Sequence, residues 1–264
     1  MNAAPTSSSS THGSSQASQP VQHALILAAG RGERMRPLTD ACPKPLLEVR
    51  GKPLIVWHLE RLARAGVRHV VINTAWLEEK FEPLLGDGSA WGLTIRYSNE
   101  GAAYGGALET AGGIATALPL LGLPPAPKAP KEEPAFWVMA GDVFMPDFEL
   151  SAGDAARFLA SRALAHLVLV PNPAHHVKGD FGISPGGMAL NMAAQTYTYS
   201  AVGLYRPSLF ASIASGHKAP LAPLLRTAMQ SGRVSAALYL GEWADVGTPE
   251  RLAALQTAPP ARAS

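Results

Sequence analysis

The stretch Ala24-Leu25-Ile26-Leu27-Ala28-Ala29-Gly30-Arg31-Gly32-Glu33-Arg34-Met35-Arg36-Pro37-Leu38-Thr39 runs from a short apolar block straight into a loop with two glycines and three arginines. An apolar block of this length, closed by glycine, reads as a buried strand. Pro43-Lys44-Pro45-Leu46 follows shortly after. Glycines let backbone N–H groups approach an anion closely, and Arg34 and Lys44 supply charge where a triphosphate would lie. Taken alone, a Gly-rich turn with solvated basic residues accounts for the loop as well. The Pro-Lys-Pro unit shifts the balance toward phosphate handling.

Moving outward, strand-like runs recur at 69–73, 93–97, 136–139 and 164–170. The strands at 24–27 and 69–73 are separated by an amphipathic stretch, 54–65, in which Ile55, Leu59 and Leu62 recur at helical spacing, with Pro53 before it and Gly66 placed to end it. This rhythm predicts an α/β fold: a single Rossmann-like domain over 23–258, with a mostly parallel central sheet and helices on both faces. Ligands of such sheets bind beyond the carboxyl ends of the strands. The Gly30 loop, Asn73 and Gly141-Asp142 each follow a strand and are therefore expected in one cleft.

The chain has 264 residues, 47% of them hydrophobic, a formal charge of +2 and a single cysteine, Cys42. That length buries one sizeable core, and no apolar run is long enough to span a membrane. The small net charge gives no nucleic-acid footprint. One cysteine excludes an intrachain disulfide framework and suits a reducing, cytoplasmic setting. Residues 1–22 are rich in Ser, Thr, Ala and Gln and contain no Asp, Glu, Lys or Arg. They read as a disordered leader without the apolar core of a secretion signal. Residues 259–264 read as a tail, and 122–134, with five prolines, as a surface loop.

The order Ala28-Ala29-Gly30-x-Gly32-x-Arg34, Pro37-Leu38-Thr39, Pro43-Lys44-Pro45-Leu46 and then Gly141-Asp142 resembles the signature of the sugar-1-phosphate nucleotidyltransferases, over about residues 24–255. Leu108-Glu109-Thr110-Ala111-Gly112-Gly113, His175-His176-x-x-Gly179-Asp180-Phe181 and Asp245-Val246-Gly247-Thr248 further resemble the short bacterial N-acetylmuramate-1-phosphate uridylyltransferases of peptidoglycan recycling. The resemblance implies a nucleotidyltransferase fold, a nucleoside triphosphate and a sugar 1-phosphate as substrates, and Mg2+ as cofactor. Another hexose 1-phosphate, glucose or mannose, with UTP, dTTP or GTP, stays open, although the family's Glu-Lys-Pro sugar motif is missing. The third alternative is a non-catalytic sugar-nucleotide-binding regulator. Retention of Arg34, Lys44, Asp142 and Asp245 argues against it. No hexapeptide repeats of the acetyltransferase-fused relatives are found, and a monomer and a dimer are equally compatible with the sequence.

Two phosphorylated substrates bring about five to six negative charges to one spot. Joining them needs in-line attack of the sugar phosphate on the α-phosphorus, so catalysis is positioning plus charge stabilisation, without a protein nucleophile. Lys44, between two prolines, is placed to bridge the α-phosphate and the incoming phosphate. Arg34 is placed to meet the leaving pyrophosphate, with the amides of Gly32 and Glu33. Glu33 stands where most of the broad family has Thr or Ser, and matches the muramate-type members. Asp142 and Asp245 are the candidate magnesium ligands; alternatively Asp142 caps a turn and Asp245 caps a helix beginning near Pro249. The nucleotide set is Gly30, Gly32, Glu33, Arg34, Lys44, Glu109, Gly112 and Gly141, with residues 108–113 as the resemblance's nucleobase loop and Thr110 as a possible helix cap. For the sugar, Asp180 and Tyr199-Ser200 are the candidates. His175, His176 and Lys178 are available to meet a lactyl carboxylate.

Overall fold

The computed structural model describes residues 21–123 and 133–257. The tail, nearly all of the leader and most of the proline-rich loop lie outside these. Val21 is already buried in the core, and the Gln22 carbonyl accepts the N–H groups of Arg68 and His69. Residues 21 and 22, expected in the leader, are therefore part of the folded domain.

Seven strands form the central sheet: β1 His23–Leu27, β2 His69–Thr74, β3 Thr94–Asn99, β4 Phe136–Ala140, β5 Ala165–Val170, β6 Thr198–Tyr205 and β7 Val234–Leu238. Their spatial order is β7-β5-β6-β4-β1-β2-β3. All neighbours are parallel except β6, which runs antiparallel to both β4 and β5. Reading the strands as a mostly parallel sheet was correct, but β6 and β7 had no sequence counterpart. In β6 the register breaks between Tyr199 and Val202, and Ala201 sits at φ 61°, so its side chains do not alternate cleanly.

Successive side chains on a strand face opposite sides, and both sides are apolar here. Ala24, Ile26, Ile72 and Met139 pack under the helices α1 (Leu54–Arg64), α2 (Phe81–Leu85) and α4 (Ala152–Ala160). Leu25, Val71 and Val138 pack under α3 (Glu109–Ala117) and α5 (Leu221–Gln230). Helix α1 matches its periodicity: Ile55, Leu59 and Leu62 are fully buried, and Gly66, at φ 84°, turns the chain toward β2. A small third cluster joins Leu255 of the last helix, α6 (Pro249–Thr257), to Met35, Val49, Leu54, Phe144 and Val246. It fastens the C-terminal helix beside the glycine loop.

Helix α1 also carries a buried polar device. Arg61, 2% exposed, donates to the Phe148 carbonyl at 2.6 Å, to the Met145 carbonyl, and to Nδ1 of the fully buried His58 at 3.0 Å. These bonds tie the helix to the chain just beyond Asp142. Burial, and then the Arg61 charge, push the His58 pKa down to about 3. The unfolded chain takes up a proton at this histidine near pH 6.5, whereas the folded one refuses it until about pH 3. Its contribution to stability is therefore complete above pH 6.5 and is lost on acidification, by up to ~1.4 kcal/mol per pH unit. Denaturant titrations between pH 7.5 and 5 are expected to show this slope, and His58→Gln to flatten it; an equal slope in both proteins would refute the assignment.

Candidate active site

The loop after β1 is shaped by its glycines. Gly32, at φ 66°, accepts a hydrogen bond from Thr39 Oγ1 at 2.9 Å, and a Cβ there would come within 3.0 Å of the Thr39 methyl and 3.3 Å of Lys44 Cβ. A Cβ on Gly30 would meet nothing within 4 Å, so this glycine borders open space. The loop opens on a cleft of about 660 Å³, lined among others by Gly30, Gly32, Lys44, Asn73, Glu109, Thr110, Asp142 and Asp180. It adjoins a second recess of about 500 Å³ bordered by Arg31, Gly32, Glu33, Arg34, Lys44 and Gly247. The expected convergence of the β1, β2 and β4 ends is thus present.

Lys44 lies in a single tight turn, Lys44–Leu46, with buried Pro45 behind it. Its Nζ is 2.6 Å from Asp142 Oδ2, and its side chain is only 11% exposed. Asp245 comes from far along the chain. Two-residue strands, Val143–Phe144 and Ala244–Asp245, pair antiparallel and set Asp245 opposite Val143, while the Val246 N–H donates to the Asp142 carbonyl at 3.0 Å. The two carboxylates are thereby held on adjoining segments. Asp245 Oδ1 is 3.0 Å from His175 Nε2, and Oδ2 accepts from Arg251 at 2.6 Å. Asp245 is therefore not the cap of α6, and Asp142 meets a side chain instead of capping a turn. A Cβ on Gly247 would lie 2.7 Å from Arg251 Nη1 and 3.5 Å from Arg34 Nη2. A side chain there would push the Arg251 guanidinium aside. Among the described residues no group of three or more His, Cys, Asp or Glu side chains gathers as a metal site. Asp142 lines the open cleft, whereas Asp245 is not among its lining residues and has both oxygens engaged by His175 and Arg251; a single cleft-facing carboxylate still fits magnesium, which takes one or two carboxylates and completes its shell with water and substrate oxygens.

Three of the residues expected at the site are not among those lining the cleft. The Gly112 N–H is bonded to the Ala219 carbonyl, and a Cβ would stand 2.2 Å from the His217 carbonyl. Gly112 serves close packing of α3 on the 217–219 segment, away from the cleft. Gly141 gives its N–H to the Leu27 carbonyl at 2.8 Å, and a Cβ there would reach Pro45 at 3.1 Å, so it seats Pro45 against β1. Ser200 is fully buried at the β6 bulge, with its hydroxyl donated to the Val168 carbonyl at 2.7 Å. Its neighbours Tyr199 and Ala201 line the cleft instead. Thr110 lies inside α3, whose first residue, Glu109, sits at φ 61° and borders the cleft. Such a backbone is uncommon outside glycine.

Asp180 lines the cleft, accepting the Tyr199 N–H at 2.8 Å and lying 3.1 Å from His176 Nε2. The histidine pair is thus divided between Asp245 and Asp180, Lys178 is exposed, and none of the three is among the residues that line the cleft. One polar relay was not foreseen. The Ala28 N–H donates to Asn73 Oδ1 at 2.8 Å; Asn73 Nδ2 donates to Glu100 at 2.7 Å; and Glu100 accepts the Leu108 N–H at 2.8 Å. It couples the glycine loop to the start of the 108–113 segment. Glu100 is fully buried, and burial raises its pKa.

A family model of nucleotidyl transferases matches residues 23–184. A Neisseria meningitidis protein named N-acetylmuramate alpha-1-phosphate uridylyltransferase is 51% identical over 239 residues, covering 87% of this chain and 94% of that protein. The chain belongs to the nucleotidyl transferase family. A Caulobacter vibrioides protein of the same name is 35% identical over 88% of this chain and 95% of its own. A solved structure from Bacillus anthracis, described as a glucose-1-phosphate thymidylyltransferase, superposes with a TM-score of 0.72 over 91% of this chain and 97% of its own, at 17% identity. That likeness establishes the nucleotidyltransferase fold. Within it, Gly30, Gly32, Lys44 and Asp142 line one cleft, and Arg34 borders the adjoining recess.

Proposed function

We propose that this nucleotidyltransferase transfers a uridylyl group from UTP to N-acetylmuramate α-1-phosphate, releasing pyrophosphate, in peptidoglycan recycling in the cytoplasm. The observation that carries the reading is the pairing of Lys44 with Asp142 at the glycine loop, in a chain that matches two uridylyltransferases of that name along nearly their whole length. An oxygen of the sugar phosphate attacks the α-phosphorus, the bond to the bridging oxygen of the β-phosphate breaks, and pyrophosphate departs with that electron pair. Lys44 Nζ stabilises charge on the α-phosphate and the incoming phosphate, and Arg34 meets the pyrophosphate in the neighbouring recess. Glu109 and Thr110 border the space for the base, and Asp180 accepts sugar hydroxyls. Asp142 and Asp245 would hold Mg2+, which supplies charge neutralisation along the triphosphate when bound.

The test is a panel of sugar 1-phosphates and nucleoside triphosphates, followed by pyrophosphate release. The muramyl sugar with UTP is expected to give the highest kcat/KM. Equal rates with N-acetylglucosamine 1-phosphate, or a preference for glucose 1-phosphate with dTTP, would refute the acceptor while leaving the fold standing.

A further inference from the structure

The proposed acceptor carries an ether-linked lactyl carboxylate that N-acetylglucosamine 1-phosphate lacks. Taking that charge out of water without a cation is unfavourable, so a muramyl-selective cleft needs a donor that no other side chain has claimed. Most cations around the cleft are claimed. Lys44 is held by Asp142, His175 and Arg251 by Asp245, and His176 by Asp180. Arg226 differs. It projects from α5, lines the same cleft as Asp180, Phe181 and Tyr199, and has no carboxylate within ion-pair distance among the described residues.

Its guanidinium carbon lies 5.2 Å from the centroid of the buried Phe181 ring. Contact with an aromatic ring restrains a guanidinium while leaving N–H donors free for a carboxylate. Phe181 directly follows Asp180, so the contact sets the cation beside the residue proposed to bind the sugar. The helix is anchored there as well, because Asn191 Nδ2 donates to the Arg226 backbone carbonyl at 2.9 Å. Resting on the acceptor proposed above, we infer that Arg226 reads the lactyl carboxylate by charge-assisted hydrogen bonds and so selects muramyl over glucosaminyl acceptors.

The experiment measures kcat and KM for both sugar 1-phosphates with saturating UTP in the wild-type protein, Arg226→Met and Arg226→Lys. Methionine still covers Phe181, and lysine keeps the charge without the fork. The ratio of kcat/KM for the muramyl over the glucosaminyl sugar should fall about 10- to 100-fold in Arg226→Met, chiefly through KM for the muramyl sugar, and should recover in part in Arg226→Lys. A wild-type preference that survives intact in Arg226→Met would overturn the role of Arg226 while leaving the muramyl acceptor in place. Equal loss with both sugars would also overturn it, marking the side chain as structural. A wild-type protein without any muramyl preference would overturn both the acceptor and this inference.

Discussion

Lys44→Ala is expected to lower kcat/KM by about two to three orders of magnitude, the ~3 to 4 kcal/mol that an oriented electrostatic group contributes to a transition state. The loss should fall mainly on kcat, since a cation touching both phosphates gains most as charge moves between them. The site explains why no substitute serves. The side chain is almost enclosed, a Cβ on Gly32 would stand 3.3 Å from its own Cβ, and its Nζ already touches Asp142 at 2.6 Å. Lys44→Arg should therefore fail too, because a planar fork cannot occupy the place of a point charge. Rapid-quench turnover with UTP decides it, and near-wild-type rates in the alanine variant would remove Lys44 from the chemistry.

Asp142→Asn is expected to have a still larger effect, leaving less than about one-thousandth of the activity while unfolding occurs at the wild-type temperature. The amide keeps the size and one acceptor oxygen but loses the charge that pairs with Lys44 and that would hold a hard cation. Two readouts separate these roles. If the cation is bound through Asp142, activity of the wild-type protein should vanish in excess chelator, return with magnesium, and remain absent in the variant at any magnesium concentration. Full wild-type turnover in chelator would refute metal involvement, and full activity of the variant would refute Asp142 itself.

Much of the fold was legible because its signals are local. An apolar block closed by glycine marks β1, and the spacing of Ile55, Leu59 and Leu62 marks α1, without reference to anything distant. What escaped depends on partners far apart in the chain. Nothing near Glu100 announces that its carboxylate will join Asn73 to the Leu108 N–H, and nothing near Arg226 announces Phe181. Gly112 and Gly141 show a different ambiguity. A glycine signals close approach of something to the backbone, and here the visitors are the His217 carbonyl and the Pro45 ring. Ser200 was read together with Tyr199 as a sugar contact, but at the bulge in β6 the serine is buried with its hydroxyl on the Val168 carbonyl. The two histidines were read as substrate donors, whereas each has a carboxylate partner from the chain itself.

The short ladder between Val143–Phe144 and Ala244–Asp245 also acts as a clock. During synthesis the N-terminal part of a domain emerges first. The glycine loop, Lys44 and Asp142 leave the ribosome long before Asp245, and Asp245 meets Arg251 only after that residue, in α6, is made. A nascent chain that has not yet reached residue 244 therefore already holds Lys44 and Asp142 but lacks the strand that pairs with Val143–Phe144.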